Sequence, residues 1–210
     1  MVEILPGKEN MEKDLMNLYL VEEGKEDRLF RLYMWSELTV SIGYSQKERK
    51  FLVPVVRRPT GGGALLHGWD LSFSIADLKE RWGENAGKIY REVMGRLLEV
   101  LRSFGINARM SKNRSGYADA YFCYFYPTLG EITVEGRKLV ACAMRTLRRS
   151  FLLHGSIFLR MDYGIASEIL GVSIDHILER VISLEELGFD STSLLDRLSE
   201  RLFKAYNLKG

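Results

Sequence analysis

The sequence is short of cysteine, proline, histidine and net charge, and each shortage removes a class of protein. Two cysteines among 210 residues, Cys123 and Cys142, cannot build a disulfide framework. Four prolines and no Pro/Gly/Ser-rich stretch leave no seam at which to divide the chain. Lys and Arg total 30 against 28 Asp and Glu, a net charge of +2, so there is no electrostatic case for a nucleic-acid partner. No apolar run approaches the roughly 20 residues that cross a bilayer, so no membrane role is expected. The start, MVEILPGKENMEKDL, lacks a cationic segment followed by an apolar one, so it does not read as a signal peptide and the cytoplasm is the expected location. The three histidines do not fall at zinc-site spacing with Cys or Asp, so no metal is expected. What remains is an ordinary composition, 46% hydrophobic and 28% charged, in a chain long enough to bury roughly 70% of its unfolded surface. The expectation is a single domain over residues 1–210, and composition names no function.

Periodicity supplies the elements. Met11, Leu15, Leu18 and Tyr19 recur at helical spacing, with Asn10 as the expected cap. Strand-like runs follow at Arg28–Trp35, Leu38–Tyr44 and Val53–Arg57. Leu71, Phe73 and Ile75 alternate with Ser72 and Ser74 within a longer run from Ala64. Residues 86–104 carry a stripe of Ile89, Val93, Leu97, Val100 and Leu101 and stop at Gly105. Glu131–Glu135 and Lys138–Met144 read as a hairpin, Ser150–Leu159 as a strand, and Tyr163–Leu170 and Ser191–Tyr206 as helices. Strands in the middle with helices before, between and after them predict an α+β fold, a mixed β-sheet packed with helices, expected to be covered on one side.

The segment Arg57-Arg58-Pro59-Thr60-Gly61-Gly62-Gly63-Ala64-Leu65-Leu66-His67 is the most informative. Consecutive glycines are conformationally costly, and what they permit is close approach of a ligand to backbone N–H groups, which in a turn form an anion site. Arg57 or Arg58 beside it has the fork geometry to hold a phosphate or carboxylate. A plain loop between two strands is the competing explanation. The segment is neither G-x-x-x-x-G-K-[ST] nor G-x-G-x-x-G opening a helix, so it is not a nucleotide or dinucleotide fingerprint.

Four ordered blocks carry a resemblance: WSELTVSIGYSQ, RRPTGGGALLH, CYFYPTLGEITVEGRKLVACAMR and LLHGSIFL. Together they resemble the biotin/lipoate protein ligase superfamily, and more narrowly its lipoate–protein ligases and octanoyl transferases. The resemblance implies the family's α+β catalytic domain and an octanoyl or lipoyl group delivered to a lysine of a carrier domain. It implies that Lys138, in the Gly-x-Lys motif, reaches the acyl carbonyl or an adenylate phosphate, where a cation stabilises developing charge. It aligns Cys123 with the nucleophile of one octanoyl-transferase branch, in which one thioester replaces another. A nearby cation lowers a thiol pKa, and Lys138 is the candidate for it. A buried structural cysteine is the alternative for Cys123. Implied substrate-binding residues are Arg58, Thr60, Gly61, Gly62, Gly63, Ala64, His67, His154 and Gly155.

Strand alternation would place Lys138, Val140, Cys142 and Met144 on one face, so Cys142 is expected near Lys138, as packing or as a second thiol. Ala141-Cys142-Ala143 stands where the family reads Gly-Ser-Ala. The run Arg145-Thr146-Leu147-Arg148-Arg149 is expected to be a solvated turn, with Arg148 and Arg149 able to steer an acidic carrier. As a transferase the protein would need no cofactor and would take its acyl group from an acyl-carrier protein. As a ligase it would use free lipoate with ATP and Mg. In either case the acceptor would be a lipoyl-carrier domain of the glycine cleavage H protein or dehydrogenase E2 type. No accessory C-terminal domain is expected. A family member that binds acyl groups or carriers without turnover is the third reading.

Overall fold

The computed structural model describes residues 2–83, 85–112 and 121–206. In chain order the elements are β1 (Glu3–Leu5), α1 (Gly7–Glu22), β2 (Arg28–Trp35), β3 (Thr39–Ile42), β4 (Val55–Arg57), β5 (Leu65–His67), β6 (Asp70–Leu78), α2 (Ala86–Arg102), β7 (Arg109–Met110), β8 (Ile132–Val134), β9 (Arg137–Thr146), β10 (Ser150–Phe158), α3 (Tyr163–Leu170), α4 (Ile174–Leu178) and α5 (Ser191–Tyr206). They form a seven-stranded sheet, β1-β2-β6-β10-β9-β8-β7, and a three-stranded sheet, β4-β3-β5. The pairs β1·β2 and β3·β4 are parallel and the others antiparallel, so both sheets are mixed. This is the α+β class the sequence predicts.

Helices cover both faces of the large sheet, not one. The odd residues of β6, Leu71, Phe73 and Ile75, pack with Ile89, Val93 and Leu97 of α2 and with Leu198 and Leu202 of α5. The even residues point the other way. Ser74 donates to Asp14 of α1 at 2.7 Å, and Ser72 accepts from Trp35 Nε1 at 2.9 Å. The small sheet packs on this second, more polar face, where Ala141 and Phe158 of the large sheet meet Val40, Ile42 and Leu65 of the small one.

Helix α1 differs from its reading in start and in face. It begins at Gly7 behind Pro6, one turn before Asn10. Asn10 is not the cap; its amide donates to the carbonyls of Leu5 and Met34. The buried face carries Asn10, Asp14 and Asn17 as well as Met11, Leu18 and Val21, while Tyr19 is exposed. Apolar periodicity is blind to a buried face that hydrogen-bonds polar groups instead of merely excluding water. The run from Ala64 is two strands, broken at Gly68 (φ 127). The β8–β9 turn has positive φ at both Glu135 (51) and Gly136 (80), the two-residue geometry that matches strand twist.

A β-bulge changes which residues of β9 share a face. Ile132 sits opposite Val140 and Thr133 opposite Lys138, so two steps along β9 match one along β8. Leu139 is the extra residue, and it packs with Val140 in the core against α2. Strict alternation is therefore broken. Lys138 leaves the face of Val140, Cys142 and Met144 and joins that of Ala141, towards the small sheet. Its own N–H and C=O bond to Arg180 O at 2.7 Å and Ile182 N at 3.0 Å.

Candidate active site

The site lies between the two sheets. A cavity is walled by Met11 of α1, Tyr33 and Trp35 of β2, Ser41 of β3, Leu65 and His67 of β5, Ala141 and Ala143 of β9, and His154 and Ser156 of β10. Arg58, Gly62, Gly63, Cys123 and Gly155 also border it. The expected residues therefore converge, but not all face the space. Thr60, Ala64 and Lys138 stand behind the wall, and Gly61 is on an exposed crest beside a second, open cleft lined by Gly62, Tyr90 and Thr128.

The three glycines do different work. Gly62 has φ 93, a left-handed conformation that an L side chain resists. Gly63 lies where two backbones touch. A Cβ there would stand 2.9 Å from Cys123 N and from Tyr121 O. That approach lets Ala64 N donate to Tyr121 O at 2.7 Å and Cys123 N donate to Ala64 O at 2.8 Å. The glycine loop is thus bonded directly to the segment that carries the cysteine. Gly61 has nothing within 4 Å of a notional Cβ. Gly43, in the first of the four motif blocks, has to be bare because a Cβ would collide with the Gly62 carbonyl. Gly155 is bare for sheet packing, with Ala141 O only 2.6 Å from a notional Cβ.

Arg57 and Arg58 brace the loop. Arg58 donates to Gly61 O at 2.8 Å, Gly63 O at 2.7 Å and Ser41 Oγ at 3.2 Å. Arg57 donates to the carbonyls of Gly43, Tyr44 and Gln46. The expected fork on a substrate phosphate is turned to backbone carbonyls instead. In a trans peptide C=O and N–H point apart, so the Gly62 N–H faces away from Arg58. Arg145, expected in a solvated turn, is half-buried in β9 and donates to Pro59 O at 3.2 Å. Arg148 and Arg149 are exposed as expected.

Two aspartate-backed imidazoles support the loop from beneath. His154 stands 2.6 Å from Thr60 Oγ1 through Nε2 and 2.8 Å from Asp14 Oδ2 through Nδ1. Asp14 also accepts from Arg31 and Tyr33. Burial works against the Asp14 carboxylate, but His154 and Arg31 outweigh it and hold the pKa below the ordinary aspartate value. His67 stands 2.8 Å from Ser41 Oγ through Nε2 and 3.0 Å from Asp70 Oδ2 through Nδ1. Burial pushes the His67 pKa down despite Asp70, so the ring is neutral. With Nδ1–H on Asp70, Nε2 accepts from the Ser41 hydroxyl.

At the thiol, Lys138 Nζ lies 3.6 Å from Cys123 Sγ and donates to the carbonyls of Cys123 and, at 3.1 Å, Tyr126. Glu131, assigned no role in the sequence reading, completes the group. Its Oε2 is 2.8 Å from Lys138 Nζ and accepts from Thr128 N at 2.7 Å, and its Oε1 is 3.7 Å from Cys123 Sγ. Lys138 and Glu131 are 0% exposed and Cys123 is 7% exposed, so all three act in a low-dielectric setting. Burial disfavours the ammonium, but Cys123 and Glu131 outweigh it and hold the Lys138 pKa above the ordinary lysine value. The signal for Glu131 was present: it opens the Glu-Ile pair of the third motif block. Asp14 and Asp70 sent none, because each reaches its histidine only through the fold.

Cys142 is on the α2 side, with Sγ 2.6 Å from Tyr90 Oη, and burial pushes its pKa well up. Both cysteines are free. Among the described residues no group of three His, Cys, Asp or Glu is placed to hold a metal ion, and no helix is long and apolar enough to cross a membrane.

Comparison with known proteins decides the family. The model of the lipoyl protein ligase A/B catalytic domain matches residues 6–206. The chain belongs to that family. An octanoyltransferase LipM from Anoxybacillus flavithermus is 28% identical, over 94% of this chain and 80% of that protein. One from Kyrpidia tusciae is 29% identical over 94% and 81%. Among solved structures, a lipoate-protein ligase A bound with ATP superposes with a TM-score of 0.74 at 19% identity, covering 98% of this chain and 84% of that one. A putative lipoate protein ligase from T. acidophilum with bound lipoic acid gives 0.74 at 18% identity, over 98% and 83%. At that identity the two structures speak for the fold alone.

Proposed function

We propose that the protein moves an octanoyl or lipoyl group from a carrier thioester to a lysine amine of a lipoyl-carrier domain, through an acyl thioester on Cys123. The observation that carries this reading is the thiol bordering a cavity of largely apolar surface with an ammonium 3.6 Å behind it. Exchange of one thioester for another costs little free energy, so neither ATP nor a metal is required. Lys138, which stays charged, stabilises negative charge on the sulfur as it leaves. The octanoyltransferase relatives support the same reading. The donor is an acyl-carrier protein, and the acceptor is a lipoyl domain of the H-protein or E2 type. The ATP-dependent ligase is the weaker reading, since the arginines that would cradle phosphate donate to backbone carbonyls.

The test is transfer without nucleotide. Purified protein, octanoyl-acyl-carrier protein and an apo lipoyl domain should yield a lipoyl domain heavier by one octanoyl group, and Cys123→Ala should yield none. Transfer that requires ATP and free lipoate, and that survives Cys123→Ser, would replace this reading with the ligase.

A further inference from the structure

Cys123 Sγ has both partners of an ion pair as neighbours, at nearly equal distance: Lys138 Nζ at 3.6 Å and Glu131 Oε1 at 3.7 Å. Their fields on the sulfur largely offset each other, so this thiol is not activated by a bare neighbouring cation. The hydrogen bonds have a direction. Lys138 spreads its three N–H groups over Cys123 O, Tyr126 O, Glu131 and the sulfur, and an ammonium has no lone pair with which to accept a proton. Glu131 receives Thr128 N–H and the ammonium on Oε2, and turns Oε1 to the thiol. His67 and His154 are turned to Ser41 and Thr60, away from this role.

Resting on the acyl-transfer reading, we propose that Glu131 is a third catalytic residue, the general base and acid that carries the proton in both half-reactions. In the first, Cys123 Sγ attacks the donor thioester carbonyl while its proton passes to Glu131 Oε1. The new carbon–sulfur bond forms, the donor carbon–sulfur bond breaks, and the departing carrier thiolate takes the proton from Glu131. In the second, the acceptor lysine amine attacks the acyl-Cys123 carbonyl and gives a proton to Glu131. The amide bond forms, the acyl–sulfur bond breaks, and the Cys123 thiolate recovers the proton. Lys138 remains an ammonium throughout, stabilising each departing sulfur and holding the carboxylate in place.

The test is an opposite-sign pair of measurements on Glu131→Gln. Removing the negative charge leaves Lys138 unopposed beside the sulfur. Alkylation of Cys123 by iodoacetamide at pH 7 therefore rises several-fold, while octanoyl transfer to the lipoyl domain falls by about 10²–10⁴-fold, the worth of a positioned acid–base group. A residue with only a structural role would slow both. Glu131→Asp keeps a carboxylate one methylene shorter. It recovers much of the transfer and returns alkylation towards the wild-type rate. If Glu131→Gln does not fold, Glu131→Asp decides alone, with transfer lowered and alkylation no slower than wild type. Alkylation and transfer falling together in either variant, or transfer by Glu131→Gln within a few-fold of wild type, would overturn the assignment. Wild-type protein that forms no octanoyl-Cys123 would overturn the acyl-transfer reading itself, which is a separate outcome.

Discussion

His154 Nδ1 stands 2.8 Å from Asp14 Oδ2, a bond spanning 140 residues that ties the first helix to the wall of the thiol cavity. The other imidazole nitrogen holds Thr60, so α1 reaches the glycine loop through one histidine.

Asp14→Ala should therefore be among the most destabilising substitutions in the protein. It leaves Arg31, itself 8% exposed, without its buried carboxylate and frees His154 and Tyr33 together. Breaking one side of a buried pair costs about 3–5 kcal/mol, a fall in melting temperature of roughly 6–20 °C for a chain of this size. Calorimetry checks it; a fall under 3 °C would show that the network contributes little.

Stability should depend on pH around neutrality because of His67. Its folded pKa lies below the ordinary 6.5, so the unfolded chain binds the proton more readily than the folded one. Stability is full above pH 6.5 and declines as pH falls through that value towards the folded pKa. Asp14 and Asp70, whose pKa values are depressed, add a second loss in more acid solution, as pH falls below the ordinary aspartate value of 3.8. Urea midpoints between pH 5 and 8 test the first limb, and His67→Gln should flatten it.

The glycine loop should respond unequally along its length. Gly61→Ala should change stability by about 0.5 kcal/mol or less, as at other open surface positions. Gly63→Ala should separate the loop from the Cys123 segment, and Gly62→Ala should suffer a left-handed backbone cost of about 1–2 kcal/mol. Melting temperatures and transfer rates of the three variants check the order; equal effects would contradict it.

Lys138 and Glu131 should prove dispensable for stability as a pair and indispensable for activity. Lys138→Met alone strands a buried carboxylate and should cost about 3–5 kcal/mol. Lys138→Met combined with Glu131→Leu should recover most of that stability and none of the transfer. Thermal melts beside transfer assays separate the two quantities.

The elements legible in the sequence were those whose burial follows a simple period. The α2 stripe from Ile89 to Leu101 and the strands β2 and β10 stand where periodicity puts them. Motif blocks read in order located the loop, Cys123 and Lys138 in one neighbourhood. What escaped has three physical causes. The α1 face is buried through polar bonds at Asn10, Asp14 and Asn17, which apolar periodicity does not register. The bulge at Leu139 shifts Lys138 to the other face, and no local residue marks it. The loop arginines look like ligand-binding groups in sequence, and only the fold shows that their guanidinium groups are turned to carbonyl oxygens.

The most direct measurement is the intact mass of the protein after brief exposure to octanoyl-acyl-carrier protein without acceptor or ATP. The account predicts one added octanoyl group, mapped to Cys123, discharged on adding an apo lipoyl domain, and missing in Cys123→Ala. An unchanged mass, or an adduct that persists in Cys123→Ala, would contradict it.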